Sequence, residues 1–330
     1  MSNFLFSLNI VMPMAILLAI GYLFKRSGFF SDEFIKVAKK FCFYVLLASS
    51  LFKNLYDSTL SVFPVRFISF VVIAIFVEVF LSFLFAKAIA DQREQIGVII
   101  QGSFRSNFAY IGIPLASMFF ADGELLSGLS SEISLLSIFV IPLFNIFAVI
   151  ALTIYSENKD DTSLLKKSFL GILRNPCIIS IFLGLLVILF RMMVPASAFF
   201  VRDRLPFLYK ALGYLASMST PFAFLLVGSS LDLGHVVKDH KKLILTMLMR
   251  DLVFPILALL AAYGLNVAEK TEYAILVSVF ASPTAVSSAI MAAEMGADQD
   301  LANEIVVYTT MFSMISLLII IYTLKGMGCL

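Results

Sequence analysis

The chain has 330 residues, of which 61% are apolar and 14% are charged, and its formal net charge is +2. Soluble domains carry about 25% charged residues, so this composition excludes an ordinary water-soluble protein and indicates an all-α, polytopic membrane protein. The small net charge gives no case for a nucleic-acid partner. The three cysteines are widely spaced and match neither a metal site nor a disulfide framework.

Apolar stretches of about 20 residues, the length that crosses a bilayer, recur along the whole chain. The first has basic residues after it rather than before it, which is the reverse of a secretory signal and indicates a membrane span. We predict ten transmembrane helices, at residues 4–24, 35–55, 67–90, 96–120, 133–155, 169–189, 207–231, 243–264, 273–295 and 305–324.

Basic residues are more frequent in the loops that follow the odd-numbered spans than in the other loops. Because cytoplasmic loops are enriched in Lys and Arg, we expect the N-terminus and the C-terminus to lie outside. The longest polar stretch, at 156–168, separates two sets of five spans. An odd number of spans turns the second set upside down, so we predict two inverted five-helix repeats, at residues 1–160 and 161–330.

Spans four and nine are each interrupted by a proline beside small or polar residues. In span four we expect the break at Gly112-Ile113-Pro114, because proline removes a helical hydrogen bond. In span nine, Ser282-Pro283-Thr284 resembles a helix start, with Ser282 as the N-cap. Two helix N-termini inside the membrane would suit a carboxylate. The alternative is that both prolines merely kink packed helices.

Several polar residues lie inside predicted spans, where they are costly unless they face a cavity or a partner. Arg105 either snorkels or forms a structural ion pair, or else it attracts an anionic substrate. Asn107 is a candidate ligand of the substrate or of the break. Glu78 is a candidate proton-coupling residue, the alternative being a neutral or paired carboxyl group. Arg250 and Asp251 are expected in a structural pair network near the cytoplasmic face.

No motif of an enzyme is present in the sequence: there is no HExxH, no GxSxG and no glycine-rich phosphate loop. We therefore expect no catalytic activity, no cofactor and no metal. The sequence also contains no soluble ATP-binding domain, so any transport would be secondary.

Six short runs resemble the auxin efflux carrier family, which includes plant auxin carriers and bacterial malonate and malate permeases. These runs are GYL at 21–23, GF at 28–29, QGSFRSN at 101–107, IGIPL at 111–115, RNP at 174–176 and PTAVSS at 283–288.

This resemblance implies two inverted repeats whose helices four and nine cross at Pro114 and Pro283. It also implies a scaffold of spans one, two, six and seven, a mobile transport domain of spans three to five and eight to ten, an elevator movement and a homodimer. Glu78 lies where plant carriers have an acid, but Ser82 stands where they have a basic residue. The large cytoplasmic loop of the long plant carriers is also missing, so auxin is not the expected substrate.

We therefore expect a secondary transporter of small organic anions, mainly carboxylates, in a bacterial inner membrane, coupled to H+ or Na+. The alternatives are a sodium-coupled bile-acid-type symporter, and a membrane sensor or channel on the same fold. The expected substrate-binding residues are Asn107, Ile113, Pro114, Ser282, Pro283, Thr284 and Arg105, with Ser49 and Ser50 from the scaffold side.

Overall fold

A computed structural model describes residues 3–57, 65–119, 126–155, 176–193, 202, 204–231 and 239–330. The predicted linker at 156–168, the boundary between the two predicted repeats and residues Arg174 and Asn175 lie outside these ranges. In the described part, all regular structure is helical, and the one extended contact is an isolated bridge between Ser106 and Thr284.

The helices of the first half are α1 Asn3–Arg26, α2 Asp32–Phe41, α3 Ala48–Asp57, α4 Val65–Ile89, α5 Arg93–Phe104, α6 Ile113–Met118 and α7 Leu126–Tyr155. Those of the second half are α8 Pro176–Met193, α9 Pro206–Gly228, α10 His240–Leu248, α11 Phe254–Gly264, α12 Lys270–Phe280, α13 Ser287–Glu294 and α14 Gln299–Gly326. Further π-helical segments are Cys42–Leu47, Phe108–Gly112 and Met249–Val253.

Within the described ranges, 6 helices are long and apolar enough to cross a membrane: Asn3–Arg26, Val65–Ile89, Glu132–Tyr155, Pro206–Gly228, His240–Gly264 and Gln299–Gly326. The predicted spans two, four and nine are helical but interrupted by a π turn or a break. The prediction of an all-helical membrane protein is therefore confirmed, whereas the ten-helix inverted repeat stays a prediction.

The outside of the molecule is apolar, as a lipid-facing surface requires. On α4, Phe76, Phe80 and Leu84 are exposed, whereas Glu78 and Ser82 lie on the buried face of the same helix. This arrangement is the reverse of a soluble protein, because the polar groups of α4 point into the protein and its large apolar groups point out.

Many helix ends meet at one end of the molecule, which we call the basic face: α1, α4, α7 and α9 end there, and α2, α5, α10 and α14 begin there. At this face the buried Lys242 ammonium donates to Asp91, Asp239 and Gln95, at Nζ–O distances of 2.6–2.7 Å. Gln95 also donates to Asp298, which caps α14. This network ties together α4, α5, α10 and α14.

The Lys242 network responds to acid through Asp91. Hydrogen bonding and attraction to Lys242 hold the pKa of Asp91 below its ordinary value. A lowered folded-state pKa means that the contact contributes above the unfolded pKa and is lost as the pH falls through the folded one. Because Asp91 is exposed, its contribution is screened by solvent.

The helices α1 and α9 cross in close backbone contact. A Cβ atom added to Gly21 would lie 2.0 Å from the carbonyl oxygen of Leu225, and one added to Gly228 would lie 2.0 Å from that of Leu18. Both collisions are with backbone atoms, which cannot rotate away. Small residues at such crossings let membrane helices approach closely.

We predict that Gly228→Ala destabilises the protein by roughly 1–3 kcal/mol, because α1 and α9 must separate to admit one methyl group. Thermal loss of monodisperse protein in detergent would measure the effect. Gly264→Ala is the matched control, since a Cβ atom at Gly264 meets no atom within 4 Å. Equal melting of the two variants would contradict the tight crossing.

Candidate functional site

Two interrupted helices cross at the centre of the structure. The segment that follows α5 pairs antiparallel with the segment that follows α12. The backbone N–H of Asn107 donates to the carbonyl of Pro283 over 2.7 Å, and that of Ala285 donates to the carbonyl of Arg105 over 3.0 Å. We call residues 105–107 and 281–286 the crossover.

The first break does not lie where the sequence predicted it. The helix stops at Phe104, well before Gly112-Ile113-Pro114, and Pro114 sits in the first turn of α6 after a π turn. Proline lacks an N–H, and Pro114 lies just after a π turn, where the hydrogen-bond register of the helix changes. The break at 105–107 instead depends on pairing with the second crossover segment, 281–286. That segment is distant in the sequence, so a local pattern cannot predict the pairing. Ile113 and Pro114 are both buried in α6.

The prediction for Ser282 and Pro283 was also wrong in detail. The helix restarts at Ser287 rather than at Pro283. The Ser282 hydroxyl donates to the Ser278 carbonyl over 2.7 Å, so it caps the end of α12 and not the start of α13. The carbonyl of Pro283 is taken by Asn107. Thr284 is fixed as well, because its hydroxyl donates to the Gly102 carbonyl over 2.7 Å.

The C-terminal ends of α5 and α12 share one cation, Arg250, which is fully buried in the π turn Met249–Val253. Its Nη1 lies 2.7 Å from the carbonyl of Phe104, its Nη2 lies 2.7 Å from that of Phe280, and its Nε lies 2.9 Å from that of Ser282. Longer contacts reach Ser103 and Val279, at 3.5 and 3.3 Å.

This arrangement is suited to the electrostatics of a broken helix. Each helix end leaves carbonyl groups without partners and carries partial negative charge. A guanidinium offers five N–H donors in a planar fork and can satisfy both ends at once. The expected pair network of Arg250 and Asp251 near the cytoplasmic face is therefore wrong: Arg250 lies at the crossover and forms no ion pair with a described residue.

Arg105 is the second buried cation at the crossover. Its Nη2 donates to the side-chain oxygen of Asn145 over 2.7 Å, and its Nη1 approaches the hydroxyl of Ser288 at 3.4 Å. Its 4% exposure excludes snorkelling, and no carboxylate among the described residues pairs with it. The remaining alternative from the sequence, attraction of an anion, stays a prediction.

Asn107 and Ser106 supply polar groups without partners. Asn107 is 3% exposed; its backbone N–H and carbonyl are both bonded, yet its side-chain Nδ2 donates to no described residue. The buried Ser106 hydroxyl likewise forms no hydrogen bond with a described residue. Because buried donors in native proteins are nearly always satisfied, these two groups are candidate ligand contacts.

Two buried carboxyl groups lie close to Arg250 on different helices. Neither oxygen of Glu78 on α4, nor either oxygen of Asp251, bonds to a residue within the described ranges. The Ser82 hydroxyl, one turn after Glu78, is also without a partner there. Arg250 acts on both carboxyl groups electrostatically, but carbonyl groups occupy its donors. Asp251 is a candidate that the sequence reasoning assigned to a structural pair.

A cavity of about 930 Å³ leads from the basic face to the crossover. Its walls come from the ends of α1 and α9, from α2, and from Val286 and Ala289 beside the second break. A smaller cavity of about 210 Å³ adjoins it, against Tyr110 and Ser287. Ser49 and Ser50, half-buried in the first turn of α3, line neither cavity.

We predict that Arg250→Met destabilises the protein by at least about 4 kcal/mol, because it leaves several buried carbonyl groups unsatisfied at about 1–3 kcal/mol each. Arg250→Lys should recover only part of this, since an ammonium cannot span both helix ends. Thermal stability in detergent is the measurement. The control is Arg66→Met, because exposed Arg66 donates to a single carbonyl, that of Leu265. Similar losses in Arg250→Met and Arg66→Met would contradict the clamp.

Comparison with known proteins agrees with this architecture. The family described as membrane transport protein matches residues 6–321, nearly the whole chain. An uncharacterized transporter of Methanocaldococcus jannaschii is 22% identical over 314 residues, which cover 93% of this chain and 96% of that protein. The predicted resemblance is thereby confirmed. The chain belongs to the membrane transport protein family, which is the auxin efflux carrier family.

Proposed function

We propose that this protein is a secondary transporter of small organic anions, with carboxylates as the main class, and that the crossover is its substrate site. The observation that carries the proposal is the pair of unsatisfied buried donors, Asn107 Nδ2 and Ser106 Oγ, in a break that a large cavity approaches. Broken helices near mid-membrane form the binding sites of many secondary transporters.

The proposed architecture is ten spans in two inverted repeats. The described helices support it, because α5 reaches the crossover from the basic face and α12 reaches it from the opposite face. Their continuations, the π turn at Phe108–Gly112 and α13, then complete the two crossings. Equivalent segments that enter from opposite sides are what an inverted repeat requires.

An elevator movement fits the distribution of contacts. The Lys242 network joins helices of the proposed transport domain, and the glycine crossing of α1 and α9 joins helices of the proposed scaffold. The 930 Å³ cavity lies between the two groups. With the basic face in the cytoplasm of a bacterial cell, this conformation is open inward and both termini lie outside. A homodimer is the assembly that the family resemblance implies.

The charges at the crossover favour an anion accompanied by a proton. Two buried cations, Arg105 and Arg250, balance two buried carboxyl groups, Glu78 and Asp251, when all are ionised. An arriving carboxylate adds negative charge in a medium of low dielectric, where uncompensated charge is costly. Protonation of Glu78 or Asp251 would restore neutrality. Sodium bound by the same oxygens would do so as well.

We predict that Asn107→Ala lowers carboxylate transport about tenfold or more, because a buried hydrogen bond to the substrate is lost. Asn107→Asp keeps the size of the side chain but repels an anion, so we expect it to lower carboxylate transport more than Asn107→Ala does. Counterflow of malonate, succinate and malate in proteoliposomes is the measurement.

The control for this experiment is Asn303→Ala, because Asn303 is an amide on α14 that lines the 930 Å³ cavity away from the two crossover segments. Its transport should stay within about threefold of the wild type. Counterflow that Asn107→Ala leaves unaltered would overturn the site. Binding or ion conductance without saturable counterflow would favour a sensor or channel, and strict sodium dependence would favour a bile-acid-type symporter.

We predict that Glu78→Gln abolishes uptake driven by a proton gradient while exchange of substrate for substrate continues, because the amide keeps the shape of the carboxyl group but carries no exchangeable charge. Asp251→Asn is the matched variant. Whichever of the two loses pH-driven uptake is the coupling residue. If both variants keep it, proton coupling at this cluster is wrong.

A further inference from the structure

The junction of the two cavities is marked by one basic side chain. Lys39 near the end of α2, Ser230 after α9 and Val286 in the crossover line both cavities. These three residues therefore mark the place where the larger cavity meets the smaller one, and Lys39 is the charged member of the set.

Lys39 is held next to the crossover by Tyr110. The Tyr110 hydroxyl donates to the backbone carbonyl of Lys39 over 3.2 Å, and the Tyr110 ring stacks on Phe43 with centroids 5.9 Å apart. Tyr110 lies in the π turn that begins directly after Asn107. The backbone of Lys39 is thus positioned by the same segment that carries the unsatisfied amide.

The ammonium group of Lys39 is available for a ligand. It is half-buried and forms no hydrogen bond or ion pair with any residue of the described chain. Lys25, which lines the larger cavity, pairs with Asp32. Arg26 and Lys40 each line one cavity but are exposed, and Lys36 is exposed and lines neither cavity. A partly desolvated cation without a counter-ion attracts an anion more strongly than an exposed one does.

We propose that Lys39 binds a carboxylate of the substrate from the scaffold side, at the junction of the two cavities, and thereby selects for anions. This inference rests on the proposed function and adds a specificity residue that local patterns did not indicate. The cavity of about 210 Å³ is smaller than the ~300–1,000 Å³ of sites for drug-sized ligands, so it has room only for a short carboxylate, and Lys39 is a charged group in its mainly apolar wall.

The test compares Lys39→Met, Lys39→Arg and the control Lys36→Met in the purified full chain. Calorimetric titration with malonate, succinate and malate should show binding weakened tenfold or more in Lys39→Met. Lys39→Arg and Lys36→Met should stay within threefold of the wild type. In counterflow, Lys39→Met should raise the KM and leave the maximal rate within twofold, which a general loss of structure would not do.

Chemical labelling gives an independent result on the unmutated protein. Acetylation of Lys39, followed by peptide mass spectrometry, should slow at least threefold with malonate relative to chloride at equal ionic strength, whereas Lys36 should not change. Acetylation of Lys39 that is as fast with malonate, succinate and malate as with chloride, or equal affinities of Lys39→Met and Lys36→Met, would overturn the proposal. Binding that depends on Lys39 without counterflow would sink the transport function alone, and counterflow indifferent to Lys39 would sink this inference alone.

Discussion

One buried guanidinium makes the crossover possible. A helix that stops inside a membrane leaves carbonyl groups that lipid cannot satisfy, and here two helices, α5 and α12, stop at the same place. Arg250 donates to the ends of both and also supplies positive charge where two helix dipoles place partial negative charge. Arg250 lies in the π turn Met249–Val253, between α10 and α11, so the donor that joins the ends of α5 and α12 comes from a third part of the chain.

The clamp determines which groups near the crossover remain available. Because its donors go to carbonyl groups, Arg250 neutralises Glu78 and Asp251 only at a distance and bonds to neither. Backbone pairing likewise occupies the N–H and carbonyl of Asn107 but leaves its side-chain amide without a described partner. The hydrogen bonds that hold the crossover together therefore come from backbone groups and from Arg250. The polar side chains left over are the candidates for substrate binding and ion coupling.

The cavities divide the molecule along the line where movement is proposed. On one side, the backbones of α1 and α9 touch through Gly21 and Gly228. On the other, Lys242 ties four helix ends into one unit. The two cavities lie between them, with Lys39 on the first side and the crossover on the second. In this geometry a substrate would touch both bodies at once.

The sequence by itself determined the class of protein and the family. Composition, span length and two proline-containing spans predicted an all-helical membrane transporter with two breaks. These properties depend on local hydrophobicity and on residues that cannot continue a helix. Asn107, Ser282, Pro283 and Thr284 were found in this way and do lie at the crossover.

Tertiary structure decided where the helices stop and which polar side chains have partners inside the protein. The first break falls at 105–107 rather than at Pro114 because pairing with 283–285, far away in the chain, supplies the hydrogen bonds that the helix gives up. Arg250 and Asp251 look alike in sequence as a charged pair, yet one is saturated by carbonyl groups and the other has no described partner. Lys39 lies at the start of the predicted second span, where the local sequence does not distinguish it from Lys36 or Lys40. Its significance depends on two cavities whose walls come from separate helices, and no local pattern contains that information.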